Sequence, residues 1–206
     1  QKGGVGKTTT AVTLGHGLSR SGRRVLLVDL DPQGHVAFAL GMKKTNGLYR
    51  LLVESEPLQK VAEKARPNLD IIASDKTGEA VGRYVTTVNF RELVIRKALR
   101  GATYDVIILD TPPSLGVLHV AALVASHWII IPTKLDAMAV DGVNEILRSM
   151  AEVEQDEDNG HKFEGYSILP TFFDRTTKET TTQLRDLVNA FGKIVWPPIP
   201  QDTKAR

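Results

Sequence analysis

A chain of 206 residues, 42% of them hydrophobic and 24% charged, has the composition of a globular domain with a substantial core. The absence of cysteine excludes disulfides and thiolate-bound metal or iron–sulfur sites, and no apolar run approaches the roughly 20 residues of a membrane span. The net charge of only +2 excludes nucleic-acid binding by bulk charge, so any such binding needs a local basic patch.

The chain starts in a glycine-rich segment with the features of a phosphate-binding loop. Three glycines within the first six residues let backbone N–H groups turn toward an anion, Lys7 can neutralise phosphates, and Thr8 offers a hydroxyl to Mg²⁺. Residues 8–19 predict a helix, whose N-terminal end favours anions. A plain turn with a solvated lysine is the alternative. The predicted nucleotide contacts of the loop are Lys2, Gly3, Gly4, Val5, Gly6, Lys7, Thr8 and Thr9.

Two apolar runs predict buried strands that end in aspartate. Residues 24–31 end in Asp-Leu-Asp and lead into Pro-Gln-Gly, and residues 104–110 deliver Asp110 to the end of the clearest strand in the chain. Carboxylates at the C-terminal ends of parallel strands lie where ligands bind in open α/β sheets, and Asp110 is placed to hold a magnesium shell. Each aspartate could instead cap the turn or helix that follows it.

The remaining pattern alternates helices with strands. It predicts a doubly wound, mostly parallel α/β sheet flanked by helices, of the P-loop NTPase type, in one domain over residues 1–206. Because such a loop normally follows a buried strand, we expect a first strand and a C-terminal end outside these residues. Further helices are predicted at 48–53, 58–65, 90–99, 115–126, 137–153 and 177–191, strands at 69–73, 127–132, 165–171 and 193–196, and connections at 75–89 and 152–158.

Some residues have a structural and a functional interpretation. The predicted helix 90–99 carries Arg91, Arg96, Lys97 and Arg100 on its polar side, a face that is usually only solvated but could contact DNA. Trp128 is predicted to lie in or near the core. His119 and His127 lack a second ligand at metal spacing, so neither is predicted to bind a metal.

Three motifs resemble one protein family. The segment KGGVGKTTT resembles the deviant Walker A motif of the ParA/MinD superfamily, in which a second lysine, here Lys2, precedes the loop. Asp-Leu-Asp-Pro-Gln-Gly resembles the next nucleotide motif, with Asp31 at the hydrolytic aspartate, and residues 111–114 resemble the second switch. The surrounding residues are most similar to the ParA (Soj) chromosome and plasmid partition ATPases over nearly the whole chain. The missing cysteines separate it from the cluster-binding relatives.

The resemblance implies a weak ATPase that uses ATP and Mg²⁺. Asp31 would orient or activate water, and Lys2 would reach the nucleotide of a second protomer, so that ATP holds a homodimer together. The ATP dimer would bind double-stranded DNA without sequence preference, and a ParB-like partner with a basic N-terminal segment would stimulate hydrolysis. A cytoplasmic, nucleoid-associated protein without membrane attachment is implied. The catalytic residues would be Lys2, Lys7 and Asp31, and the metal ligands Thr8 and Asp110.

Weaker predictions concern the base and the DNA. The exit of strand 165–171 resembles a segment that lies near the nucleotide base in ParA-like proteins. The free carbonyls of a rigid proline loop can accept a hydrogen bond from the amino group of adenine, although proline loops usually only connect elements. The predicted base contacts are Pro170, Phe172, Pro198 and Pro200. On composition alone, the candidates for DNA contact are Arg175, Lys178, Arg185, Lys193 and Lys204.

Two departures from the family pattern leave the cargo and the partner open. His35 replaces a common asparagine, and Lys134-Leu135-Asp136 replaces a segment that contains Gln and Glu. The alternatives are a MinD-like membrane ATPase, which needs a basic amphipathic C-terminal helix, and a metabolic P-loop enzyme like dethiobiotin synthetase. A nucleotide sensor without hydrolysis is disfavoured by the set of Lys7, Asp31 and Asp110.

Overall fold

The computed structural model describes residues 3–156 and 160–201, which fall into two compact units. The first unit contains residues 7–125, and the second contains residues 3–6 together with the described part of 126–201. The assignment of the chain to a single domain stays a prediction.

The first unit is a four-stranded sheet with helices. Its strands are ordered β2-β3-β1-β4, in which β1 runs parallel to β3 and β4 while β2 is antiparallel to β3. The strands are β1 (Val25–Asp29), β2 (Glu63–Arg66), β3 (Leu69–Ile72) and β4 (Val106–Asp110). The helices are α1 (Lys7–Arg20), α2 (His35–Ala39), α3 (Gly47–Leu52), α4 (Leu58–Val61), α5 (Gly78–Thr87), α6 (Val94–Ala98) and α7 (Val117–Val124).

The central strand β1 is buried on both faces, which explains its uninterrupted apolar sequence. Leu26 and Val28 belong to one apolar cluster, which also contains residues of α3, α5 and α7. Leu27 belongs to the other cluster, with residues of α1 and α2. Gly15 brings α1 close to the sheet, since an added Cβ would lie 3.0 Å from Leu27 Cδ2. Helices therefore cover both faces of parallel strands.

The second unit pairs two strands and packs two helices on them. Its elements are β5 (Trp128–Lys134), α8 (Ala139–Gln155), β6 (Gly165–Thr171) and α9 (Lys178–Phe191). The strands β5 and β6 are parallel, in register from Trp128 opposite Gly165 to Lys134 opposite Thr171. The prediction of a mostly parallel sheet flanked by helices is confirmed. Among the described residues, no helix combines the length and the apolar character needed to cross a membrane.

Two segments of the first unit differ from the prediction. The supposed connection 75–89 contains α5, whose buried residues are Gly78, Val81 and Val85. The two valines have the i, i+4 spacing of a helix face, so the helical signal was present and the prediction of a connection is wrong. The helix predicted at 58–65 ends at Val61 and is followed by β2, because Pro67-Asn68 forms a tight turn to β3 with Asn68 at φ 59°.

Helix 90–99 and strand 193–196 are only partly present. A 3₁₀ turn over Arg91–Leu93 precedes the short α6, and another over Gly192–Ile194 leaves a single bridge between Val195 and Ile168. Trp128 is 51% exposed, so its placement in the core is wrong. Its ring covers Gly165 at the start of β6, and its indole N–H donates to Ser167 Oγ at 3.3 Å. Part of the predicted acidic connection, residues 157–158, lies outside the described residues.

Candidate active site

The first turn of α1 presents a lysine and a hydroxyl directly after the glycine-rich segment. Lys7 and Thr8 are its first two residues, and this turn contains no acidic side chain. The first N–H groups of a helix have no acceptor within the helix and carry the positive end of its dipole. The Lys7 ammonium adds to this positive end, so the turn favours an anion.

A short hydrogen bond joins this turn to the end of β4. Thr8 Oγ1 donates to Asp110 Oδ2 at 2.6 Å, and Asp110 is only 3% exposed. Burial raises the pKa of the Asp110 carboxyl to about 6, and the charge of Asp31 adds to the rise, while Thr8 and Lys7 oppose it. The structure thus brings together the two residues predicted as metal ligands, although they are 102 positions apart in the sequence.

A second buried carboxylate lies beside Asp110, at a position that the motif analysis did not single out. Asp29 ends β1, is opposite Asp110 in the sheet register, and is fully buried. Its Oδ1 accepts the N–H of Asp31 at 3.1 Å, and its Oδ2 accepts the N–H of Val36 at 3.0 Å. Burial raises its pKa to about 7, although the Val36 hydrogen bond opposes the shift. Asp29 therefore holds the loop that carries Asp31.

Asp31 opens a tight turn. Its Oδ1 accepts the N–H of Gln33 at 2.9 Å, and its backbone carbonyl accepts the N–H of Gly34 at 3.0 Å. Lys44 Nζ donates to the carbonyl of Gln33 and holds the other side of the turn. The aspartate does stabilise a turn, as the structural alternative stated, and it does so at the same sheet edge as Asp110.

The loop after Asp31 is packed against the segment that follows β3. Gly34 has φ 64°, and an added Cβ would lie 2.4 Å from the backbone oxygen of Ser74 and 2.9 Å from Lys44 Cδ. An added Cβ on Gly78 would meet Pro32 Cα at 2.9 Å and Ser74 Oγ at 2.8 Å. At both positions the neighbouring segment comes so close that there is no room for a Cβ, so glycine is required.

Replacing Gly34 by alanine should lower the free energy of unfolding by about 2 to 4 kcal/mol, because a left-handed conformation and a steric overlap are combined. Urea denaturation measures the loss. The control is Gly17→Ala in α1, where an added Cβ meets nothing within 4 Å, and which should be neutral or slightly stabilising. Equal stability of Gly34→Ala and the wild type would contradict the packing described.

In the second unit, the glycine-rich segment is held by β6. Gly4 and Gly6 have φ of 77° and 90°, which a residue with a side chain rarely adopts. Thr171 Oγ1 donates to the carbonyl of Val5 at 3.0 Å, and both residues are buried. Thr171 ends β6 and was not predicted as a site residue, because nothing in its local sequence indicates a contact with residue 5.

The residues predicted to contact the base lie near one another in the second unit. Ile199 N–H donates to the Pro170 carbonyl at 2.8 Å, and Phe173 N–H donates to the Ile199 carbonyl at 3.0 Å. Phe172 has φ 57°, and Lys134 Nζ lies 5.8 Å from the centre of its ring. The proline segment thus runs along the exit of β6, with Pro198 and Pro200 on either side of Ile199. Contact with a base stays a prediction.

The other predicted residues are a buried histidine, exposed basic residues and two lysines outside the described part. Lys2 and Lys204 fall outside it. His119 is buried, its Nε2 has no hydrogen-bond partner among the described residues, and burial lowers its pKa to about 4. The remaining candidates for DNA contact on the second unit are all exposed: Arg175, Lys178, Arg185 and Lys193.

Comparison with known proteins agrees with this geometry. A family model described as an AAA domain matches residues 1–162. The chain is 38% identical to the chromosome-partitioning ATPase Soj of Thermus thermophilus, over 99% of this chain and 80% of that protein. It is 35% identical to the sporulation initiation inhibitor protein Soj of Bacillus subtilis, over 99% of this chain and 83% of that protein.

A solved structure shares the fold. It is cobyrinic acid a,c-diamide synthase from Mycobacterium smegmatis with a bound ATP analogue and magnesium, with a TM-score of 0.86 and 31% identity. The match covers 98% of this chain and 84% of that one. The family model covers most of the chain, and the similarity to Soj extends over nearly its whole length. The chain therefore belongs to the AAA-domain family and is a ParA/Soj-type partition ATPase.

Proposed function

We propose that this protein binds ATP with Mg²⁺, dimerises in the ATP state, carries double-stranded DNA without sequence preference, and hydrolyses ATP when a ParB-like partner binds. The Thr8–Asp110 hydrogen bond of 2.6 Å carries this proposal, because it assembles a hydroxyl and a carboxylate at the first turn of α1. Relatives that are named ParA or Soj and are 35–38% identical support it. We further propose that the protein acts on the nucleoid.

Thr8 and Asp110 fit a magnesium ion. Mg²⁺ prefers oxygen ligands, keeps several waters, and is usually held by one or two carboxylates and substrate phosphates rather than by a cage of side chains. Within residues 3–156 and 160–201, no group of three or more His, Asp or Glu side chains is placed to hold a metal. A bound Mg²⁺ would neutralise charge on the phosphates.

The chain's own residues would supply the rest of the chemistry. Lys7 would hold the outer phosphates at the positive end of α1, and the N–H groups of residues 3–6 would surround them. Asp31, fixed by its turn and by Asp29, would orient the attacking water. Catalysis of this kind depends on positioning and charge neutralisation, which a tightly packed loop provides.

Lys2 would couple hydrolysis to dimerisation. The phosphate loop is complete with Lys7, so the second lysine is available for the nucleotide of another protomer. A cation supplied in trans raises the rate by roughly 10³ to 10⁵ in GTPases. The ATP state would then be a dimer, and hydrolysis would release two monomers.

The competing function is that of a metabolic P-loop enzyme, and one observation supports it as an alternative. The solved structure with 31% identity is, by its name, a cobyrinic acid a,c-diamide synthase. Such an enzyme would modify a small molecule and would not need a nucleotide-dependent change of oligomeric state. A MinD-like ATPase would instead bind lipid vesicles in its ATP state, which a sedimentation assay measures.

Replacing Lys2 by alanine should abolish the ATP-dependent dimer and lower turnover by at least about a hundredfold, while the monomer still binds nucleotide. Light scattering with ATP and with ADP measures the dimer, and phosphate release measures turnover. Lys162→Ala is the control, since Lys162 is an exposed lysine of the second unit outside the proposed site.

The outcomes separate the candidate functions. A wild-type protein with the same mass in ATP and ADP would contradict the partition switch and favour the metabolic enzyme. If the Lys2→Ala variant dimerises and hydrolyses ATP normally, only the role proposed for Lys2 is contradicted.

A further inference from the structure

The short helix α6 exposes a compact group of positive charges. It buries Ile95 in an apolar cluster of the first unit and leaves Arg96 and Lys97 exposed. Arg100 is exposed in the turn that follows the helix, where its backbone N–H donates to the carbonyl of Lys97 at 3.2 Å and so holds it close to this pair.

An exposed aromatic ring extends this group. Phe90 is 63% exposed and has φ 55°, a conformation that is unusual for a bulky residue. Lys97 Nζ lies 5.3 Å from the centre of its ring, within the range of a cation–π interaction. The exposed Arg91 follows Phe90 in the 3₁₀ turn. We call the five residues Phe90, Arg91, Arg96, Lys97 and Arg100 the α6 basic face.

The charge of this region is opposite to that of the rest of the chain. Residues 80–104 contain five basic residues and one acidic residue, Glu92, so they carry +4 while the whole chain carries +2. The other residues together therefore carry −2, and residues 105–174 alone contain twelve acidic and three basic residues. A polyanion would be repelled by much of the chain and attracted to this region.

We propose that the α6 basic face binds the phosphate backbone of double-stranded DNA. The proposal rests on the DNA binding proposed above and names the surface for it. Arginine and lysine contacts to phosphate carry no sequence information, which suits binding without sequence preference. The Phe90 ring lies beside the cations and provides an apolar contact for the sugar backbone.

The test compares two triple variants by fluorescence anisotropy on a random-sequence duplex, with ATP, between 50 and 300 mM KCl. In Arg96→Gln/Lys97→Gln/Arg100→Gln, affinity at 100 mM KCl should fall at least tenfold. The slope of log K against log salt should become shallower by about 2 to 3, since each lost phosphate contact removes roughly 0.9. Phe90→Ala should weaken binding severalfold without changing the slope.

The matched control is Arg23→Gln/Lys43→Gln/Lys60→Gln, which removes the same charge from exposed positions of the first unit that carry no predicted DNA contact and should leave the slope unchanged. Melting temperatures and basal ATP hydrolysis, expected to match the wild type in both triple variants, verify folding. If the α6 variant binds DNA with wild-type affinity and slope, or loses only stimulation by a protein partner, the inference is wrong. A wild-type protein that does not bind DNA in ATP would contradict the proposed function instead.

Discussion

Asp31→Ala should lower ATP turnover by about a hundredfold to a thousandfold and leave ATP binding nearly unchanged. The reason is that the proposed mechanism gives the attacking water to Asp31 and the phosphates to Lys7 and the glycine-rich segment; a positioned acid or base contributes typically 10² to 10⁴ in rate. The ATP-bound dimer should therefore persist. Phosphate release measures turnover, and light scattering over time measures the lifetime of the dimer.

A second substitution separates chemistry from structure at this position. Asp31 Oδ1 accepts the N–H of Gln33 at 2.9 Å, and alanine cannot replace that acceptor. Asparagine can, so Asp31→Asn should keep the melting temperature of the wild type but lose turnover as Asp31→Ala does. If Asp31→Asn hydrolyses ATP at the wild-type rate, the carboxylate has only a structural role.

Asp110→Asn should weaken the binding of ATP with Mg²⁺ at least tenfold and nearly abolish turnover, and it should stabilise the protein in the absence of ligands. Burial raises the pKa of Asp110 to about 6, so its ionised form at neutral pH opposes folding. Removing that charge should raise the free energy of unfolding at pH 7.5 by about 1 to 3 kcal/mol. Urea denaturation without nucleotide and a fluorescent-ATP titration with Mg²⁺ measure the two effects.

The sign of the pH dependence follows from the same shift. A carboxyl whose pKa is higher in the folded than in the unfolded protein costs stability as it ionises, so stability falls as pH rises from about 4 to about 6. Asp110→Asn should lack this part of the decline. Asp105→Asn is the control, since hydrogen bonds from Arg24 lower the pKa of the Asp105 carboxyl to about 2. The ionised form of Asp105 therefore favours folding, so Asp105→Asn should lower stability at neutral pH. A destabilised Asp110→Asn would show that Asp110 is a structural residue.

Much of the candidate site could be predicted because its residues are marked locally. The glycine spacing, the lysine and the hydroxyl occur within eight residues, Asp110 directly follows an uninterrupted apolar run, and Asp31 lies three residues after another. An apolar run of this kind indicates a strand buried on both faces, and ligands collect at the carboxyl ends of such strands. Thr8 and Asp110 were therefore expected at one sheet edge before any distance was known.

The missed residues have roles that depend on distant partners. Asp29 is the first carboxylate of the Asp-Leu-Asp-Pro-Gln-Gly motif. The hydrogen bond that it accepts from Val36 forms only because the chain turns back toward the end of β1. Thr171 contacts the carbonyl of Val5, 166 positions earlier in the sequence. The helix α5 was missed although Val81 and Val85 have helical spacing, because the run of apolar residues is short; the close approach of Gly78 to Pro32, which fixes its first turn, appears only in the fold.

Local sequence was enough to predict a glycine-rich segment followed by a helix, strands that end in aspartate and the parallel α/β class, since each of these is encoded by spacing and periodicity within about ten residues. Three-dimensional packing was needed to show that Thr8 and Asp110 are hydrogen-bonded, that Asp29 holds the Asp31 loop, and that Trp128 is exposed on β5. These facts depend on which strands become neighbours and in what register. Register is set by packing over the whole sheet, which no local stretch of sequence contains.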